Sequence, residues 1–166
     1  MLISTAMGCS ADCGPAAQLA SRTYSAFTHP VSASGDNIST LTGAPGFASY
    51  GLPVNGEHLW SFAFGAADVG PVTVSIDGQE FEGQGVWDSV ECGSFTVESL
   101  AGTYVAPDGA EHDFNAAMSM VVFEQQLEGL VQWNEAWTLS DGESGTYRST
   151  AQMRGVLTSG GGEASE

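Results

Sequence analysis

Apolar and polar residues alternate along most of this chain, which is the pattern of β-strands with one buried and one solvated face. The stretch from 72 to 83, VTVSIDGQEFEG, shows it most clearly, with Asp77-Gly78 between two alternating runs. An Asp-Gly pair suits a two-residue turn because both turn positions need a positive φ, and the turn then fixes the register of the hairpin. The expected cross-strand pairs are Ile76 with Gln79, Val74 with Phe81, Val72 with Gly83, Ser75 with Glu80, and Thr73 with Glu82.

Short extended segments separated by turn residues continue through the rest of the chain. In HLWSFAFGA, Trp60, Phe62 and Phe64 fall on one face, whereas SASGDN (32–37) is expected to be a loop. Asp12 can cap a short helix at PAAQLASR. Strands at intervals of roughly 8–12 residues favour sandwiches and barrels. The sequence therefore predicts an all-β, mainly antiparallel fold, a β-sandwich or a closed β-barrel, with one short N-terminal helix.

The segment AAMSMVVFEQQLEGLVQW (116–133) fits two different structures. Met120, Phe123, Leu127, Leu130 and Val131 follow helical spacing, whereas a turn at Glu124 to Gln126 would make the segment a hairpin. We prefer the hairpin, because Val-Val-Phe is β-prone and Gly129 would weaken a helix by about 1 kcal/mol. The inward side chains would then be Met118, Met120, Val122, Leu127, Val131 and Trp133, with Gly129 among them.

The chain divides into three parts by composition. Residues 1–22 form an N-terminal arm with the short helix, 23–158 a single β domain, and 159–166 an acidic, glycine-containing tail expected to be flexible. The first residues lack the basic and apolar regions of a secretory signal. No apolar run reaches the length of about 18 residues needed for a membrane span, so membrane insertion is not expected.

Acidic residues dominate the charge of the chain. Lys and Arg total 3 and Asp and Glu total 20, for a formal net charge of −17. Binding to nucleic acid depends on Lys and Arg displacing counterions from phosphates, so a nucleic-acid partner is not expected. A surface of this charge suits a salt-tolerant protein or a basic or calcium-rich partner.

Cysteines and clustered carboxylates are the candidate ligands and cross-links. The three cysteines allow a disulfide between Cys9 and Cys13, or from one of them to Cys92, a three-thiolate metal site, or three reduced thiols. Asp108, Glu111 and Asp113 are candidate calcium ligands, because calcium prefers several oxygen ligands. Glu111 and Asp113 would share one face of a strand, with His112 on the other. No other cofactor is expected.

No convincing catalytic set accompanies these residues. Serine nucleophiles of the G-x-S-x-G kind do not occur near His29, His58 or His112. Glu80 and Glu82 share one face of the first hairpin and could form a carboxylate pair. Their partners across the hairpin are Ser75 and Thr73, which favours a solvated face. We therefore expect a protein that is not an enzyme.

Three functional hypotheses follow. The first is a structural or interaction protein, a subunit of a multi-copy assembly such as a virion shell, decoration or tail component, whose arms add strands to a neighbour's sheet. It would be a homo-oligomer or bind other structural proteins, in a virion or outside the cell. The second is a secreted or surface β-sandwich that binds a small molecule or carbohydrate, and the third an unrecognised hydrolase. Binding in the second case would use the tryptophans Trp60, Trp87, Trp133 and Trp137.

Overall fold

The fold consists of eight antiparallel β-strands in a single sheet. The structure, a computed structural model, describes residues 22–36, 56–65, 68–88, 93–105 and 110–159. The strands are β1 (Thr23–Gly35), β2 (Gly56–Phe64), β3 (Val69–Ile76), β4 (Gln79–Asp88), β5 (Ser94–Val105), β6 (Glu111–Phe123), β7 (Gln126–Thr138) and β8 (Ser144–Ser159).

The sheet closes on itself into a ring. Each strand pairs with the next one in the chain, and β1 pairs with β8 along a ladder that runs from Thr23 opposite Ser159 to Gly35 opposite Tyr147. The prediction of an all-β, antiparallel fold is confirmed. The described residues contain no helix, and the helix predicted at residues 15–22 lies outside them except for Arg22, which precedes β1.

The first predicted hairpin is confirmed in every cross-strand pair. Val74 lies opposite Phe81 and Ser75 opposite Glu80. Asp77 and Gly78 form the turn with φ values of 52° and 84°, as a turn that twists with its strands requires. Glu80 and Glu82 are exposed on the outer face. Across the hairpin, the Thr73 hydroxyl donates a hydrogen bond to Glu82 over 3.0 Å.

The hairpin interpretation of residues 116–133 is also confirmed. β6 ends at Phe123 and β7 begins at Gln126, with Glu124 in the turn at a φ of 54°. Gly129 lies opposite Met120, and a Cβ at this glycine would come within 2.2 Å of the Ser119 carbonyl oxygen. Glycine is therefore required here by the close approach of β6. The predicted inward side chains Met118, Met120, Val122, Leu127, Val131 and Trp133 are all buried.

The loop predicted at SASGDN (32–37) is wrong for residues 32–35, which continue β1. This part of β1 pairs with the beginning of β8, after a register shift between Pro30 and Ser32. Such irregularities accommodate a proline, which has no N–H to give to the ladder. Asp36 then secures the strand end, because its carboxylate accepts hydrogen bonds from the Thr146 backbone N–H at 2.8 Å and hydroxyl at 3.1 Å.

The core fills the interior of the ring. Alternate residues of all eight strands point inward, and aromatic rings make up much of the filling. Phe95 contacts both Phe62 and Phe64, with ring centroids 5.0 Å and 5.4 Å apart, and Phe64 lies 6.0 Å from Trp87. Offset and edge-on contacts of this kind add to the stabilisation from burial.

The seam between β1 and β8 offers a direct test of ring closure. Gly155 faces inward opposite Ala26, and an added Cβ would lie 2.7 Å from the Ala26 Cβ and 3.0 Å from the Ser25 carbonyl oxygen. We expect Gly155→Val to lower the free energy of unfolding by about 1–3 kcal/mol, because the seam must open to admit the side chain. Denaturant unfolding measures the loss. Gln152→Val, at an exposed position of the same strand, is the control, and equal stability of the two variants would contradict this account.

Candidate functional site

The four tryptophans predicted to bind a ligand all lie on the inner face of the ring. Their exposed fractions are 0% for Trp60, 7% for Trp87, 1% for Trp133 and 3% for Trp137. None of them presents a ring on the outer surface as a stacking platform for sugars. Any ligand that contacts them must enter the ring.

A cluster of buried polar side chains surrounds the carboxylate of Glu135. Its Oε2 accepts hydrogen bonds from the Tyr104 hydroxyl at 2.9 Å and the Trp133 indole N–H at 2.8 Å. Its Oε1 lies 2.8 Å from Nδ1 of His112, and the His112 and Glu135 side chains are both 0% exposed. The imidazole also stacks on the Tyr104 ring, with centroids 4.6 Å apart and planes 8° from parallel. We call Tyr104, His112, Trp133 and Glu135 the Glu135 cluster.

Strand alternation places these residues inside. On β7, Trp133, Glu135 and Trp137 are two residues apart and therefore lie on the same face of the strand. The Glu135 carboxylate thus points into the interior with the two tryptophans. On β6, His112 lies opposite Trp137, and on β5 Tyr104 lies opposite His112. Sequence reasoning missed the cluster, although a glutamate between two inward tryptophans was a signal that could have found it.

Three donors compensate the burial of the Glu135 carboxylate. An isolated buried carboxylate is strongly unfavourable, and it is retained only when it is paired and hydrogen-bonded. Tyr147 lies directly opposite Glu135 on β8, and the same buried surroundings affect the pKa of its hydroxyl. Burial raises the pKa of the Tyr147 hydroxyl above 10.0, the nearby Glu135 charge adds to the increase, and a hydrogen bond with Ser149 opposes it.

A small cavity adjoins the Glu135 cluster at the end of the ring that carries the Asp77-Gly78 turn. Its volume is about 100 Å³, and Tyr104 and Trp133 belong to both the cavity wall and the cluster. Asp77 and Gln79 are exposed and form its polar rim. The lining residues are Ile76, Asp77, Gln79, Phe81, Tyr104, Phe114 and Trp133. The cavity therefore joins an exposed polar rim to an aromatic interior.

Asp77 is held in place at this rim by two contacts. Its Oδ1 accepts a hydrogen bond from the Leu59 backbone N–H at 2.8 Å, and its Oδ2 lies 2.7 Å from Nδ1 of His58. The Asp77 side chain is still 48% exposed. Its negative charge thus remains close to solvent and fixed in position.

Two more polar groups lie inside the ring near the cavity. The Tyr24 hydroxyl and the Trp60 indole N–H are buried without a hydrogen-bond partner among the described residues. Trp60 lies opposite Tyr24 on one side and opposite Ile76, a cavity-lining residue, on the other. The described interior therefore contains polar groups that its own side chains do not satisfy, which is uncommon in folded proteins.

Most of the predicted metal and cross-link residues lie outside the described residues, and the others do not form a metal site. Glu111 and Asp113 share the exposed outer face of β6, as expected, and Asp108 lies outside the described residues. The described chain has no group of three His, Cys, Asp or Glu side chains that could hold a metal ion. Cys9, Cys13 and Cys92 all lie outside the described ranges.

The Glu135 cluster makes a specific prediction about stability. We expect Glu135→Ala to lower the free energy of unfolding by about 3–5 kcal/mol, because three buried polar groups lose their shared partner. Glu128→Ala is the matched control: it lies on the same strand, 60% exposed and 3.9 Å from Arg154. The control should cost less than about 1 kcal/mol. Chemical denaturation compares the two, and similar losses would mean that the cluster contributes nothing special.

Comparison with known proteins adds no relative to this picture. No protein-family model matches the chain, and neither the curated proteins nor the solved structures gave a match. The described residues also include no helix long and apolar enough to cross a membrane. The functional conclusion therefore depends on the geometry of the ring itself.

Proposed function

We propose that this protein is a non-enzymatic binding protein, in which a closed β-barrel of eight strands holds a small molecule at one end. The observation that carries the proposal is the cavity at the Asp77-Gly78 turn, whose wall shares Tyr104 and Trp133 with the buried Glu135 cluster. Binding sites typically combine an apolar wall with a few precisely held polar groups. This end of the ring provides both.

The ring geometry supports this choice over an external binding surface. Eight strands enclose an interior that side chains nearly fill and that leaves room for one small ligand. The Tyr24 hydroxyl and the Trp60 N–H, which have no hydrogen-bond partner among the described residues, are further polar groups in the same interior. A cavity of about 100 Å³ is smaller than the pockets that bind drug-sized molecules. The expected ligand, or the part of it that enters, is therefore a group of a few heavy atoms and not an oligosaccharide.

A second candidate, the assembly subunit, is supported by a different surface. Ring closure pairs the strand edges of the described sheet with one another, so the addition of a neighbour's arm to an open sheet has less support. The outer face instead carries exposed apolar side chains on adjacent strands. Phe27, Leu59, Val121, Phe123, Leu130 and Val156 are each 46–69% exposed. We call these six residues the outer apolar patch.

Cross-strand pairing places five of the six residues of the outer apolar patch in two neighbouring rows. One row reads Phe123, Gln126, Val156, Ser25 and Leu59 from β6 around to β2. The next row reads Val121, Glu128, Arg154, Phe27 and Glu57. Apolar and polar residues are interspersed in these two rows across five strands. Exposed apolar surface of this kind commonly marks a contact with another protein.

Ligand binding is tested by filling the cavity. Ile76 lines the cavity and is 4% exposed, so Ile76→Trp should occupy the space that a ligand needs. Among small fragments, we expect at least one to raise the melting temperature of the unmodified protein, since binding stabilises the folded state by mass action. The same fragment should leave Ile76→Trp unchanged. Ser75→Trp, on the opposite face of β3, is the control, and equal stabilisation of all three proteins would reject the site.

Self-association is tested by sedimentation velocity across protein and salt concentration. If the outer apolar patch joins copies of the chain, species larger than the 17.1 kDa monomer should form and persist in high salt, which screens the mutual repulsion of acidic surfaces. The double variant Phe27→Ser with Phe123→Ser should then sediment as a monomer. Val69→Ser, at an exposed apolar residue outside the patch, should not. A monomer under every condition would rule out the assembly candidate.

A further inference from the structure

We propose that the ligand of the end cavity is a small organic cation, an ammonium group that carries methyl or other short alkyl groups. This inference depends on the proposed binding function and specifies the chemistry of the molecule that enters. Three features of the cavity lead to it: the sign of the charges around it, the aromatic composition of its wall, and its volume.

Two carboxylates lie at or next to the cavity, and no arginine or lysine lines it. Asp77 lies at the rim and Glu135 behind the wall. The sequence contains no lysine, and its three arginines are Arg22, Arg148 and Arg154, none of which lines the cavity. Carboxylate and phosphate ligands are ordinarily held by such cations. The electrostatic balance at this end of the ring therefore favours a positive ligand.

Four of the seven lining residues are aromatic: Phe81, Tyr104, Phe114 and Trp133. Phe114 contacts the other three, stacked on Trp133 with centroids 4.1 Å apart and edge-on to Phe81 at 4.9 Å. Aromatic rings attract ammonium groups through the negative charge of their faces, and clusters of such rings are used to recognise alkylated ammonium ions. A wall of this composition binds the alkyl groups by apolar contact and the charge by the same rings.

Glu135 strengthens this attraction without contacting the ligand. It accepts hydrogen bonds from the Tyr104 hydroxyl and the Trp133 N–H, and linked hydrogen bonds of this kind polarise one another in a low-dielectric interior. Donation of a hydrogen bond to a carboxylate makes each donor ring richer in electron density. We assign Glu135 the role of a positioning residue for the two rings.

The volume matches a compact ion. One water needs about 10–15 Å³ of this kind of space, so a cavity of about 100 Å³ holds a group of several heavy atoms. A tetramethylammonium-sized group is of that order, whereas a nucleotide or disaccharide is not. An ammonium group on a longer molecule could occupy the cavity with the remainder outside the Asp77 rim.

The test uses three compounds of similar shape and different charge: tetramethylammonium, tert-butyl alcohol and pivalate. Calorimetric titration at about pH 8 should show saturable binding of tetramethylammonium, weaker binding of the alcohol and none of pivalate. Ile76→Trp should abolish the signal. Equal or tighter binding of the alcohol would overturn the proposal that the ligand is a cation, but the proposed binding site would still stand. If none of the three compounds binds, the proposal of a cationic ligand is rejected. The binding site itself is rejected only if no fragment in the wider screen binds either.

Two conservative variants separate the charge from the rings. Asp77→Asn removes the negative charge and keeps the size of the side chain, and asparagine tolerates a positive φ as aspartate does. We expect this variant to weaken tetramethylammonium binding about two- to fivefold. Phe81→Leu keeps apolar volume and removes one ring, and it should weaken binding by at least about twofold. Neither should change the affinity for tert-butyl alcohol. Glu80→Gln, on the outer face between them, is the control, and an equal effect of all three substitutions would overturn the proposed recognition.

Discussion

The hydrogen-bonded seam between β1 and β8 is the constraint on which the rest of the structure depends. It joins residues 23–35 to residues 147–159 and turns a meander of hairpins into a ring with one interior. Without the seam, the inward side chains of both strands would face solvent. Residues such as Tyr24 and Met153, both 0% exposed, would then lose the side chains they pack against. Contacts so distant in sequence carry a large entropic cost of loop closure, which slows folding in general.

Closure also explains how the protein can keep a buried carboxylate. Inside the ring, the Glu135 carboxylate is shielded from bulk water and depends on neighbouring side chains for its hydrogen bonds. Tyr104 on β5 and His112 on β6 supply two of these contacts, and Trp133 on β7 supplies the third. Replacing such a network with apolar side chains often costs no stability. In our proposal, its role beside the cavity is to position Tyr104 and Trp133.

Strand alternation separates the two proposed roles onto opposite faces of the same strands. On β7, Trp133 and Glu135 point into the interior of the ring, while Glu128 and Leu130 point toward the outer surface. On β2, Trp60 is buried and Leu59 belongs to the outer apolar patch. A ligand inside and a protein partner outside could thus act on the same β-strands without competing for side chains. The high negative charge favours a cation in the first case and opposes association of identical copies in the second, unless salt screens it.

The sequence by itself determined the all-β antiparallel class and the two hairpins at 72–83 and 116–133 with the faces of their residues, because period-two alternation and turn chemistry are local properties. It also placed Trp60 on one face with Phe62 and Phe64, but it did not determine that all four tryptophans would lie inside one ring. Tertiary structure decided the rest. The segment at 32–35 became strand because β8 provides a partner more than a hundred residues later. Glu135 became the centre of a cluster because the pairing of β5, β6 and β7 brings it to Tyr104 and His112, 31 and 23 positions away. Local patterns state which way a side chain points, whereas its neighbours across the ring depend on the order and register in which all eight strands pair.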